Sequence, residues 1–330
     1  MSAADIRPPF FLGIDLGGTN IKCGVVDDCG HSLSSVSLET EAERGPAVGI
    51  ANMAEAGRRA VAANGLSWDE IVGVGLGSPG TMDLNRGMLL EPPNLPGWNQ
   101  LPIRDLLAAK LGKQTVLQND ANAAAYGEYW AGAGHHSRSL VLFTLGTGIG
   151  CGIIDEGRII EGRHSHGAEC GHLIIQMEHG RKCTCGGYGH LEAYASATSL
   201  VKRALEALAH DSSHSLLRDI PADELTSRDI SVAQSQGDQL ARRLMRETAR
   251  YLAVGAVNLM HTIDPDIVLF GGGMIAAGLS FLEDIRSDIR SMAFPTLSKS
   301  IRIEYAELGS DAGFIGAAGC ARMAFGNPSA

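Results

Sequence analysis

Short, dense apolar runs alternate along this chain with longer stretches in which apolar residues recur three or four apart. Phe10–Asp27, FFLGIDLGGTNIKCGVVD, enters a Gly-Gly-Thr turn as an apolar run and leaves it as an alternating one, which predicts strand, turn, strand. Ser139–Arg158, SLVLFTLGTGIGCGIIDEGR, has the same pattern. Ile71–Gly80, IVGVGLGSPG, predicts a buried strand broken at Ser-Pro-Gly, and Gln114–Gly134 a strand that meets an alanine-rich helix at Asn119-Asp120. PDIVLFGGGMIAAG reads as a strand, three glycines and a helix. Helical spacing marks PAVGIANMAEAGRRAVAANG, stopping at Gly65, then SATSLVKRALEALAH and the long amphipathic Gln239–Asp264. GSDAGFIGAAGCARMAF closes the chain as a small-residue helix. EPPNLPGWNQLPIRDLLAAKLG is a Pro-rich loop feeding a helix, and DSSHSLLRDIPADELTSRDI reads as polar loop.

The two glycine hairpins match each other. CGVVDD at Cys23–Asp28 and CGIIDE at Cys151–Glu156 correspond position by position, as in a diverged internal repeat. Two such halves imply a cleft with one hairpin on each wall. A dinucleotide-binding turn leads into a helix and a P-loop ends in Gly-Lys-Ser/Thr; neither is present. Glycines let backbone amides approach an anion closely, so the hairpins could hold the β- and γ-phosphates of ATP from both sides. Asp15, ending the first strand, could hold Mg²⁺, which favours one or two carboxylates plus phosphate oxygens. The competing reading is two tight turns. Asn119-Asp120 is either a helix cap or the site of a general base. The glycines after PDIVLF are a plain strand-to-helix turn or the edge where an open α/β sheet places a nucleotide.

Composition narrows the classes. A chain of 330 residues suits two domains, and 45% hydrophobic with 19% charged residues is ordinary for a globular protein. A net charge of −10 speaks against nucleic acid, which needs clustered Lys and Arg. No apolar run approaches the ~20 residues of a membrane helix, so no membrane partner is expected, and MSAADIRPPFFLGIDLGG lacks the pattern of a signal peptide. Seven cysteines, scattered except for Cys183 and Cys185, fit a reduced cytosolic setting. KCTCGGYGHLE, Lys182–Glu192, leaves three readings open: a redox pair, a metal site or a glycine turn that happens to hold thiols.

DLGGTNIK, GSPG, PNLPGW, QNDANAAAYGE, LGTGIGCG, HGAECGH, CTCGGYGHLEAYAS, LFGGG and DAGFIGAA occur in that order along nearly the whole chain. Together they resemble the ROK family of sugar kinases, a branch of the actin-like ATPase superfamily that includes bacterial glucokinases. The resemblance implies an α/β, two-lobed actin-like (ribonuclease H-like) ATPase fold with a central cleft. Residues 1–119 would form the small lobe and 120–330 the large lobe, with a C-terminal helix at about 311–326 returning to the small lobe. It also implies ATP-dependent phosphorylation of a hexose, glucose first, at the 6-hydroxyl, with Asp120 as the base. Asn119, Glu169, His172 and Glu192 would bond sugar hydroxyls, with Asn94 and the Gly80 turn completing the pocket. Asp15, Gly17, Gly18, Thr19, Thr147 and Gly148 would surround the phosphates, and Gly272 and Gly273 the nucleoside. The expected partners are a hexose, MgATP and a second copy of the chain, in the cytoplasm.

The family carries a structural zinc held by one His and three Cys, in the pattern C-x-C-G-x-x-G-C-x-E. Cys183, Cys185 and His172 match; where the third cysteine belongs this chain has His190. A Cys2His2 set is chemically sound for zinc. The swap makes the site less negative by one charge and requires room for a longer side chain. Such a zinc would fix Glu169 and Glu192 over the sugar without touching the phosphoryl group. An N-acetylhexosamine kinase of the family would share these polar residues, but PNLPGW resembles the glucokinase version of that loop. A sugar-responsive repressor would carry a helix-turn-helix ahead of the first phosphate motif, and the 14 residues before Asp15 are too few for one. A non-catalytic sugar sensor would not need Asp120 and paired phosphate turns.

Overall fold

The structure is a computed structural model and describes residues 6–92, 94–210 and 212–326. Pro93 of the PNLPGW motif and the end of the GNPSA tail lie outside the described residues. By their contacts the described residues divide into two units, 6–138 with 152–168 and 307–326, and 139–151 with 169–306.

The first unit opens with β1 (Phe10–Leu16), β2 (Asn20–Val26), β3 (Val36–Glu39) and α1 (Pro46–Ala62). It continues with β4 (Ile71–Ser78), the hairpin β5 (Thr81–Asp83) and β6 (Met88–Glu91), α2 (Ile103–Leu111), β7 (Thr115–Asn119) and α3 (Asp120–Ala131). The main sheet has the order β3-β2-β1-β4-β7, with β1 antiparallel to β2 and parallel to β4. β1 is an almost unbroken apolar run because both faces of a central strand are covered. The last helix, α10 (Ala312–Phe325), covers one face. A Cβ on Gly13 would lie 1.8 Å from Phe314 O, and one on Gly75 1.7 Å from Ala317 O. Backbone therefore packs on backbone, which is why this helix is built of small residues.

In the rest of the chain β8 (Ser139–Leu145), β9 (Ile149–Asp155) and β10 (Arg158–Ile159) precede α4 (Glu192–Ala195), α5 (Ala197–His210), α6 (Ser227–Ser235) and α7 (Gln239–Ile263). β11 (Ile267–Gly271), α8 (Leu279–Met292), α9 (Pro295–Ser300) and β12 (Arg302–Tyr305) follow. Their sheet has the order β10-β9-β8-β11-β12, and β11 is parallel to both neighbours. Each sheet thus runs third, second, first, fourth, fifth in its own chain order, so the repeat read from CGVVDD and CGIIDE extends to the topology.

Two features differ from the sequence reading. α6 begins inside the stretch read as polar loop and runs past its end; its start is a capping box in which Asp229 Oδ2 accepts from Thr226 N at 2.9 Å. A linear cut at residue 120 puts α3 with the later half, whereas α3 packs against α10 in the first unit. Glu128, fully buried on α3, holds it there by accepting from Leu308 N at 2.7 Å, Glu307 N at 3.1 Å and Ala133 N at 3.0 Å.

Candidate active site

β1 delivers Asp15 and then turns through Gly17, Gly18 and Thr19. Gly17 N donates to Asn20 O at 2.9 Å. Thr40, fully buried, braces the turn twice: its hydroxyl donates to Gly17 O at 2.7 Å and its amide to Thr19 O at 2.8 Å. Asn94 closes over the turn, since a Cβ on Gly18 would come within 2.9 Å of Asn94 O. A cavity of about 520 Å³ lies here, lined by Gly18, Thr19, Arg44, Asn94 and Pro96 among others. The pKa of Asp15 is raised to about 7, by burial first and by the charge of Asp120 second, with Lys22 opposing. Two carboxylates that repel each other beside a glycine turn suit a dication carrying phosphate oxygens.

Asp120 opens α3, directly after β7. The cap reading of the Asn119-Asp120 junction holds for Asn119. Asn119 is the cap, its Oδ1 accepting from Ala121 N at 3.0 Å and Asn122 N at 3.1 Å, which leaves its amide nitrogen to donate to a ligand. Asp120 Oδ1 accepts from Ala121 N at 2.8 Å, so the helix fixes the orientation of the carboxylate. Gln118, buried one residue earlier, accepts from Asn119 N at 2.8 Å and donates to Glu161 at 2.7 Å. Gly80 sits in the turn after β4 with φ of +91°.

In the second unit, the turn after β8 is held from outside. Gly146 O accepts from Ala197 N, at the start of α5, at 2.9 Å. Ile149 N donates to Glu192 Oε2 at 3.0 Å, and a Cβ on Gly148 would lie 2.4 Å from that oxygen. A cavity of about 370 Å³ beside the turn is lined by Thr147, Lys182, Thr184, Glu192, Thr198 and Lys202 among others. Another, of about 500 Å³, is lined by Gly273, Met274, Ala276, Leu200, Arg228 and Ser231 among others, a largely apolar space of the size small ligands use. Gly272 sits at the end of β11 against Leu145. Glu169 is exposed at the entry of the Cys170–His172 turn, its carbonyl accepting from His172 N at 3.0 Å.

His172, Cys183, Cys185 and His190 converge, with their ligand atoms all within 4.8 Å of one another. Cys183 Sγ lies 3.7 Å from His172 Nδ1, and Cys185 Sγ 3.1 Å from His190 Nδ1. A tetrahedral zinc with the usual bond lengths sets neighbouring S and N atoms ~3.6 Å apart, so the donor set fits. The room His190 needs comes from Gly187, where a Cβ would lie 2.5 Å from the imidazole. The redox reading loses support, because burial raises the Cys183 thiol pKa and an attacking thiol needs the opposite.

The model of the ROK family matches residues 11–323. The chain belongs to the ROK family. A glucokinase of Thermotoga maritima is 35% identical over 93% of this chain and 95% of its own length. The crystal structure of a ROK hexokinase from Thermus thermophilus superposes with a TM-score of 0.82 at 33% identity, covering 96% of this chain and 98% of that one. A ROK glucokinase from Streptomyces griseus, solved with glucose and AMPPNP, gives 0.79 at 34% identity over 95% and 99% of the two chains. The fold is thus the α/β, actin-like fold of ROK kinases. Among the described residues no helix is long and apolar enough to cross a membrane. Within this ROK chain, sequence reasoning missed Thr40, Thr184 and the Gln118–Glu161 pair. A lone Thr or Gln carries no local signal; Thr40 acts 23 residues away, Gln118 reaches Glu161 43 residues on, and Thr184 bonds Glu192 within its own motif.

Proposed function

We propose that this ROK protein transfers the γ-phosphoryl group of MgATP to the 6-hydroxyl of a hexose, with glucose as the preferred acceptor. The observation that supports it most is the meeting of Asp120, fixed at the start of α3, with Asp15 and the Gly17–Thr19 turn in one unit. Asp120 accepts the proton of the 6-hydroxyl as the sugar oxygen forms its bond to γ-phosphorus. The bond from γ-phosphorus to the β,γ-bridging oxygen breaks, and ADP leaves. Positioning and electrostatics provide most of the acceleration in such reactions. Asn94, the Gly80 turn, Asn119, Glu169, His172 and Glu192 orient the sugar. The Gly17–Thr19 and Thr147–Gly148 turns hold the donor phosphates, with Lys182 and Lys202 lining the cavity beside Thr147. The nucleoside occupies the cavity lined by Gly273.

His172, Cys183, Cys185 and His190 hold a structural zinc in this reading, and the metal supplies fixed geometry and no chemistry on the phosphoryl group. Thiolate ligands persist in a reducing cytoplasm, where we place the enzyme. A homodimer is the assembly we assign, and sedimentation equilibrium tests it. The activity is tested by coupled ADP release with MgATP across glucose, mannose, fructose, N-acetylglucosamine and N-acetylmannosamine. Glucose should give the highest kcat/KM. A preference for an N-acetylated sugar would overturn the acceptor, and no sugar-dependent ADP would overturn the reaction.

A further inference from the structure

Glu192 stands between two loops that the proposed function treats separately. Its Oε2 accepts from Ile149 N at 3.0 Å, at the exit of the second phosphate turn. Its Oε1 accepts from the Thr184 hydroxyl at 2.6 Å and lies 3.6 Å from Cys183 Sγ. Thr184 sits between the two cysteines of the metal cluster. Ile149 is gripped a second time, because a Cβ on Gly171, one residue before His172, would come within 2.2 Å of its carbonyl oxygen. We propose that Thr184 and Glu192 form a strut from the Cys183–Cys185 turn to the second phosphate turn, which makes Thr184 a positioning residue for the donor nucleotide as well as for the sugar.

A carboxylate has about four lone-pair sites, so these bonds leave acceptor capacity for a sugar hydroxyl. Hydrogen bonds to a charged acceptor are among the stronger ones, and a bond shared at both ends of one rigid group transmits displacement. Loosening the Thr184 end therefore lets the carboxylate rotate about its bond to Ile149 N. The phosphate turn then loses the only side-chain brace on that amide among the described residues. The metal loop is felt on the nucleotide side through this path.

The inference rests on the proposed kinase reading, and the test separates the two. Thr184→Val, Thr184→Ser and Gly148→Ala are compared with wild type for zinc content, kcat, and KM for glucose and MgATP. Thr184→Val should keep its zinc and raise both KM values about tenfold, the kinetic equivalent of one hydrogen bond to a charged group. Thr184→Ser restores the hydroxyl and should stay within about twofold of wild type. Gly148→Ala pushes on Oε2 from the other end and should raise the glucose KM, although the change lies in a phosphate turn. The double variant should fall short of the product of the two single effects. A Thr184→Val effect confined to glucose, or absent, overturns the strut, and so do effects that multiply. If Thr184→Val comes without zinc, Gly148→Ala decides alone, and an unchanged glucose KM there sinks the strut. Wild type with no sugar-dependent ADP release removes the kinase reading instead. Hydrogen exchange at residues 146–149 then decides: faster exchange in Thr184→Val supports the strut, and unchanged exchange contradicts it.

Discussion

The glycine turns after β1 and β8 share one repeated pattern, yet each is stabilised differently. β1 ends Asp15-Leu16 and β8 ends Thr144-Leu145, each followed by glycine. The first turn carries its own carboxylate in the strand and is braced by Thr40, 23 residues on. The second has no acid in its strand and takes one from Glu192, 43 residues later, whose oxygen caps Ile149 N. The carboxylate beside the first turn is held close to another acid, which suits it for a dication. The one beside the second is held by a backbone amide and a hydroxyl, which suits it for rigidity. Matching folds in the two halves have thus come to serve a charged role on one side and a bracing role on the other.

The comparison is broken most severely at the base. Asp120→Asn should cut kcat by at least ~10²-fold while glucose binding persists, since the amide keeps the shape and cannot take the proton. Near-normal turnover in steady-state assays would remove Asp120 from that role. Asp15→Asn should cost a smaller loss of kcat and raise the KM for MgATP. It should also stabilise the metal-free, nucleotide-free protein. The folded-state pKa of Asp15, about 7, lies above its ordinary value of 3.8. Its contribution to stability is therefore complete below about pH 4 and is lost as pH rises through 7. The melting-temperature advantage of Asp15→Asn should be greatest at pH 8 and vanish near pH 4. An advantage that grows on acidification would contradict the assigned cause.

Cys183→Ser sharpens the second half. It should lose metal by elemental analysis and raise the glucose KM about tenfold, with the MgATP KM following through Glu192, whereas His190→Cys should keep metal and most activity. Sequence alone predicts an effect on the sugar side only, so the MgATP column decides between the two accounts. Glu169→Gln, exposed and away from the strut, should raise the glucose KM several-fold and leave MgATP unchanged. The smallest effect is expected at Thr40→Val, which removes one hydroxyl bond to Gly17 O and should lower stability by about 1 kcal/mol in chemical denaturation.

What could be read in advance was whatever lies contiguous in the chain. The hairpins, the Asn119-Asp120 junction and the Cys-Thr-Cys turn each place several informative residues side by side. The paired sheets followed from the repeat. The braces were not legible: Thr40 and Gln118 are ordinary residues whose partners lie 23 and 43 residues away, and Thr184, although only eight residues from Glu192, carries no pattern that reports a bond to it. α6 was hidden by its polarity, although its capping box stood in the sequence at Thr226 and Asp229. The packing of α3 on α10 depended on Glu128, a carboxylate with one amide partner just past the end of its own helix and two from a segment about 180 residues later. Buried polar groups are satisfied by tertiary structure, and a local pattern does not report them.

The account stands most directly on the product of one reaction. Wild-type protein incubated with MgATP and uniformly ¹³C-labelled glucose, followed by ³¹P and ¹³C NMR, should give phosphate on C6 with one ADP formed per sugar phosphorylated, and Asp120→Asn should give almost none. Phosphate at another carbon, ADP formed without sugar product, or equal product from the Asp120→Asn protein would contradict it.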